Sequence, residues 1–195
     1  MMKSLSNLPQ IGVALAIIGT FGVSLPAHAA EFTSAYTDLD LDRCTVVSVD
    51  DLGSAHMCKG CGSIPVYVSE GDLRFSIAYG LLDGGKAARG QSLGPFNTLG
   101  PRIEWRLANA SGRLTPFATI VRYFVAQEDG TGPDNQVLVV TKLDGDSNCH
   151  SAYIDALANP NANQLARDAA DSAKTFDCAT DEVRFVGKFE AWTRL

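Results

Sequence analysis

The segment "IPVYVSEGDLRFSIAY", Ile64–Tyr79, decides the fold. "IPVYV" is rich in β-branched and aromatic residues. In "LRFSIAY" the residues Leu73, Phe75, Ile77 and Tyr79 fall on one face at a period of two. Between them "EGD", Glu70–Asp72, reads as a tight turn with Gly71 free to take a positive φ. The segment is therefore a hairpin with one buried face, which needs further strands beside it.

Those strands follow downstream. "RIEWRL" points Ile103, Trp105 and Leu107 one way and Arg102, Glu104 and Arg106 the other. "PFATIVRYFVA", "QVLVVTKL" and "CHSAYIDA" read as further strands, most of them carrying apolar residues at alternate positions, as half-buried antiparallel sheets do. Upstream, Cys44–Val49 is a strand and "VDDLGSAHMCKGCGS" a loop by composition. "GLLDGGKAARGQSLGPFNTLGP", Gly80–Pro101, reads as a long glycine-rich loop.

One helix is expected, over "NPNANQLARDAADSAKTF", with Asn159 as its cap and Pro160 in its first turn. Ala162, Leu165, Ala166, Ala169, Ala170 and Ala173 form its apolar stripe, and alanine lets the helix lie close to what it covers. The tail from about residue 180 reads either as a last strand or as loose chain. The fold class is α+β: a curved antiparallel sheet of six or seven strands with one C-terminal helix packed on it, stapled by disulfides.

The N-terminus points to export. Lys3 precedes the uncharged apolar run Ile11–Leu25; Pro26 breaks it, and Ala27 and Ala29 form the A-x-A pattern of signal-peptide cleavage. The run is shorter than the about 20 residues that span a bilayer. Residues 1–29 are thus read as a signal peptide and 30–195 as a single domain, periplasmic or secreted. No later stretch is long and apolar enough to span. Without Lys3 the 16 Lys+Arg become 15 against 22 Asp+Glu, a net charge of −7. An acidic chain with no basic run does not suit nucleic acid, whose phosphates need clustered cations.

All five cysteines lie in the exported part, where disulfides are the default. Cys149 and Cys178 bracket the helix, 29 residues apart. Cys44 and Cys58 bracket the first loop, 14 residues apart, with Cys44 to Cys61 the competing choice. "HMCKGCGS", His56–Ser63, carries the C-x-x-C. Gly62 after the second cysteine excludes haem attachment. Gly60, Gly62 and Pro65 deny it the helix start that lowers a redox thiol's pKa. A zinc ribbon needs a second knuckle, and none occurs; a mixed site of Cys58, Cys61, His56 and Cys149 or His150 has suitable ligand types but competes with the disulfides.

Asp38, Asp40 and Asp42, and Asp144, Asp146 and Asn148, resemble fragments of calcium loops. They lack the glycine at position six and the glutamate at position twelve. No G-x-S-x-G, Walker A or H-E-x-x-H occurs. The glycine-rich loop is the best region for a ligand, with Lys86, Arg89, Phe96 and Asn97 able to grip an acidic or aromatic group.

The blocks "PVYVSEGDLRFSIAYG", "RIEWRL…PFATIVRYFV" and "VLVVTKL…CHSAYIDALANPNANQLA" resemble those of a family of small exported bacterial proteins with no named activity. The resemblance covers most of the mature chain. It implies a family fold and brings no cofactor or catalytic residue. The sequence reading is a non-catalytic binding or interaction module. Its partner is a small molecule or an envelope protein of unknown identity, and no cofactor is implied. The alternatives are an envelope enzyme, either a thiol–disulfide protein using Cys58 and Cys61 or a hydrolase using His56 or His150, and a metal-binding protein at the Cys58, Cys61 and His56 cluster.

Overall fold

The computed structural model describes residues 32–80, 90–110, 112–127, 130–145 and 148–189. The strands are β1 Phe32–Asp38, β2 Thr45–Asp50, β3 Gly53–Cys58, β4 Val66–Gly71, β5 Arg74–Tyr79, β6 Asn97–Ala110, β7 Arg113–Val125, β8 Asn135–Lys142, β9 Cys149–Asp155 and β10 Arg184–Phe185. The helix α1 spans Ala162–Ser172 and runs into a 3-10 turn at Ala173–Thr175.

The fold is α+β with one C-terminal helix and two disulfides, Cys44–Cys58 and Cys149–Cys178. A six-stranded sheet runs β1-β6-β7-β8-β9-β10, and a second, four-stranded sheet runs β2-β3-β4-β5. Neighbours pair antiparallel except β10, which adds to β9 in parallel. The second sheet departs from the one-sheet expectation because β3 lies in the segment read as loop. Its Gly, Ser, His and Cys carry little strand propensity, yet β2 and β4 flank it and take up its backbone hydrogen bonds. Likewise β6 begins at Asn97, inside the glycine-rich segment.

The six-stranded sheet is covered on both faces. Ile103, Trp105, Val121, Tyr123, Val137 and Val139 face Val66, Val68, Ile77 and Tyr79 of the smaller sheet. On the other face Ala118, Ile120, Leu138, Val140, Ala152 and Ile154 meet Ala162, Ala166, Ala169, Ala170 and Ala173. The alanine stripe therefore does what its pattern predicts. Two ion pairs tie the helix across β6: Arg106 donates to both oxygens of Asp171 at 2.8 Å, and Arg167 Nε donates to Glu104 Oε1 at 2.7 Å. Arg106 is buried, and a buried guanidinium needs such a partner.

A register shift between Val140 and Thr141 changes what β9 presents. It lets Cys149 join the cluster under the helix, where Cys178 bridges it, while His150 turns toward Tyr153 on the side of the smaller sheet.

Three local expectations are corrected. Gly71 does not take a positive φ; Asp72 at 50° and Leu73 at 60° do, as a two-residue primed hairpin turn requires. Asn159 does not cap the helix. Its side chain donates to Asp155 O at 2.8 Å and Lys188 O at 2.7 Å and accepts from Lys188 N at 2.9 Å, fastening the tail to the end of β9. Pro160 is not in the first turn: the helix starts at Ala162, after Asn161, whose side chain makes no capping bond.

The hairpin turn carries a prediction. Leu73 is 63% exposed, so its side chain contributes little packing, while its left-handed backbone costs an L residue about 1–2 kcal/mol. Leu73→Gly should raise stability by about 0.5–1 kcal/mol after the entropy that glycine adds to the unfolded chain. A higher urea midpoint at unchanged slope checks it.

Candidate functional site

Of the loop residues singled out by sequence, Lys86 and Arg89 lie outside the described residues, as do residues 1–29, the segment read from sequence as a signal peptide. Phe96 and Asn97 part company. Asn97 is buried and fastens the loop: its Oδ1 accepts from Phe75 N at 3.1 Å and its Nδ2 donates to Pro95 O at 2.8 Å. Its amide is engaged within the fold and does not face a ligand. Phe96 is half exposed. The Arg74 guanidinium lies 4.7 Å over its ring, beside a cleft of about 320 Å³ that Val125, Gln127 and Asn135 help to line.

The cysteine cluster is not a dithiol. Cys58 is bonded to Cys44, and Cys61 is free and half-buried. Burial raises the Cys61 thiol pKa, which makes it a poor nucleophile at neutral pH. His56 Nε2 lies 3.2 Å from Ser54 Oγ, and its Nδ1 is buried without a partner. Among the described residues no group of three His, Cys, Asp or Glu side chains is placed to hold a metal ion. The Cys58, Cys61 and His56 set loses one ligand to the disulfide.

The acidic clusters serve as local turns. Asp40 Oδ1 accepts from Asp42 N at 3.2 Å, and Asn148 Oδ1 accepts from Asp144 N at 3.3 Å; Asp146 lies outside the described residues.

His150 is unavailable to a substrate, being only 3% exposed, with Nδ1 at 2.8 Å from Tyr153 Oη. Burial lowers its pKa to about 4 and raises that of Tyr153 to about 12. Tyr79 and Tyr123 lie in the same interior, with their phenols raised by the same cause.

Two surfaces that sequence reasoning did not single out have the character of binding sites. The first is β2, the outer strand of the smaller sheet. All six of its residues are exposed, including Val46 at 56%, Val47 at 56% and Val49 at 69%, and Leu52 in the following turn is 85% exposed. Among the described residues only β3 pairs with it, so its other edge presents backbone N–H and C=O groups with no neighbouring described strand, beside apolar side chains. The run "CTVVSV" held the signal, since three valines in a short strand ask for a buried face and here none is supplied. The second is a groove of about 320 Å³ on the helix side of the larger sheet, where Tyr36, Arg102, Glu104, Arg122, Asn163 and Arg167 gather.

No helix among the described residues is long and apolar enough to cross a membrane. Comparison of the chain with models of protein families, with curated proteins and with solved structures finds no match.

Proposed function

We propose that the chain is an exported, non-catalytic interaction module that accepts an extended segment of a partner protein along the free edge of β2. The carrying observation is the exposure of the whole strand, with its three valines more than half open to solvent. Such an edge is an aggregation hazard unless something covers it, and strand addition covers both its hydrogen-bonding groups and its side chains. The register shift between Val46 and Ser48 bends the edge, and Asp50 and Asp51 place like charges at its end. Both features restrain indiscriminate pairing between copies of the chain, which favours a partner of matching twist. Export is supported by the leader-like N-terminus and by the two disulfides, which persist in oxidising compartments. The occupied Cys58 weighs against the thiol–disulfide reading, and the buried His150 against a hydrolase that uses that residue.

A photo-crosslinking residue at Thr45 in exporting cells tests the reading. The same residue at Leu157, exposed but on a different surface, is the control. A discrete adduct should form from position 45 only. Val49→Lys should cut its yield at least about tenfold, because an ammonium trapped at the joint costs more than the 1.4 kcal/mol that a factor of ten represents. Equal adducts from both positions, or none from position 45, would overturn the proposal.

A further inference from the structure

The geometry points to the groove between the first turns of α1 and the uncovered end of the larger sheet as a site for a phosphate or sulfate monoester. The charge balance is the first reason. The mature chain is acidic, yet three arginines line this groove against one glutamate. That glutamate is already committed. Glu104 Oε1 accepts from Arg167 Nε at 2.7 Å and from Ser34 Oγ at 2.6 Å, and Oε2 accepts from Arg167 Nη2 at 3.4 Å. Arg167 and Glu104 therefore balance each other, and Arg102 and Arg122 are left.

Arg102 has only a loose, exposed counter-charge, and no carboxylate among the described residues pairs with Arg122. Arg102 Nε is 3.9 Å from Asp38 Oδ1, a pair with side chains 65% and 72% exposed, which solvent screens. Arg122 is part-buried on β7, and its hydrogen bond goes to a neutral group, Gln136 Oε1, at 2.8 Å. Burial lowers its pKa, the mark of a cation without compensation. Partly desolvated charges are normally paired, and a guanidinium offers several N–H donors in a planar fork suited to oxyanions. The groove thus gathers guanidinium donors that an oxyanion is suited to accept from.

The backbone is arranged to bring the two cations together. β6 shifts register against β7 between Leu99 and Ile103, so Gly100 to Arg102 step out of the β6–β7 ladder while Arg102 stays opposite Asp38 on β1. A Cβ on Gly100 would fall 3.1 Å from Arg122 Cβ and 3.2 Å from Arg122 O. Glycine there lets the stepped-out segment lie directly on Arg122. With Arg167 and Asn163 on the helix, donors reach the groove from three separate elements, which suits a tetrahedral anion better than a flat carboxylate. The volume of about 320 Å³ exceeds a bare ion, and Tyr36, half exposed on one wall, offers an aromatic face to a ring-sized body.

Calorimetric titration of the full chain at low ionic strength tests this with phenyl phosphate, phenyl sulfate and benzoate as probes. Phenyl phosphate or phenyl sulfate should bind one to one, and the stronger of the two identifies the natural oxyanion. Arg102→Gln with Arg122→Gln should weaken that binding at least tenfold with the circular dichroism unchanged. Lys59→Gln, a charge removed outside the groove, should change it less than twofold. If the double variant fails to fold, the Nε–H resonances of Arg102 and Arg122 in the native protein should still move on adding phenyl phosphate or phenyl sulfate. No binding by either ester, benzoate binding as tightly as the esters, equal weakening by Lys59→Gln, or resonances that stay fixed would each overturn the assignment.

Discussion

Trp105→Ala should lower the unfolding free energy by about 3–5 kcal/mol, the largest loss expected from any single truncation in this chain. Trp105 is fully buried on the face of β6 that meets the smaller sheet, and its ring stands edge-on to Tyr79 with centroids 5.5 Å apart. Its Nε1 donates to Thr37 Oγ1 at 2.8 Å, so one side chain joins the two sheets and the edge strand β1. The loop after β3 is built around it. A Cβ on Gly60 would fall 3.0 Å from the indole ring and 2.2 Å from Ile64 O, so the backbone approaches the ring as closely as a side-chain-free residue allows. Alanine leaves a cavity walled by two sheets and a disulfide-tied loop, which cannot readily collapse, and orphans the Thr37 hydroxyl. Trp105→Phe keeps most of the area and loses the hydrogen bond, so about 1–2 kcal/mol is expected there. Urea denaturation of the three proteins measures both values. A loss under 1 kcal/mol for alanine would show that the two sheets do not share this core.

Trp105 also illustrates what the sequence made legible. It sits in "RIEWRL", where the alternation of Ile103, Trp105 and Leu107 with charged neighbours left no doubt about the inward face. β4 and β5 were legible by the same apolar alternation in sequence, and β7 and β8 by their runs of β-branched and aromatic residues, which are buried on both faces of the larger sheet. The alanine stripe of α1 and the spacing of the four bridged cysteines are equally local signals.

β3 was not legible because its Gly, Ser, His and Cys gain order from their neighbours' backbones, and β1 because Ser34 and Thr37 find their partners Glu104 and Trp105 only once β6 lies beside them. The sequence reading counted one sheet in consequence, and it missed that β2 lies at an open edge. The arginine groove was hidden for another reason. Arg102, Arg122 and Arg167 stand 20 and 45 residues apart on β6, β7 and α1, and only the pairing of β6 with β7 under the helix brings them together. Asn97 shows the opposite error. A polar residue in a glycine-rich loop looked available, yet its amide holds that loop to β5.

Acidification should destabilise the protein through His150 before most carboxylates are titrated. The imidazole is buried between the sheets, and desolvation lowers its pKa from 6.5 to about 4. The direction of the effect follows from which state takes up the proton. Below about pH 6.5 the unfolded chain protonates His150 and the native protein does not, so protons favour unfolding. Stability is therefore full above pH 6.5 and falls as the pH drops toward 4, below which the native state takes the proton too. At about 1.4 kcal/mol per pH unit the whole window is worth on the order of 3 kcal/mol. Few alternatives relieve this cost. The Tyr153 hydroxyl lies 2.8 Å from Nδ1, and a phenol raised to about 12 supplies no negative charge to a neighbouring imidazolium. His150→Asn keeps a polar group near Tyr153 and cannot titrate. Urea midpoints at steps from pH 7.5 to 4.5 should fall steeply for the native protein and stay nearly level for the variant down to about pH 5, where carboxylates begin to contribute. Parallel curves would mean that the imidazole is hydrated or re-aimed in solution, and with it that the register shift at Val140–Thr141 does not hold His150 inward.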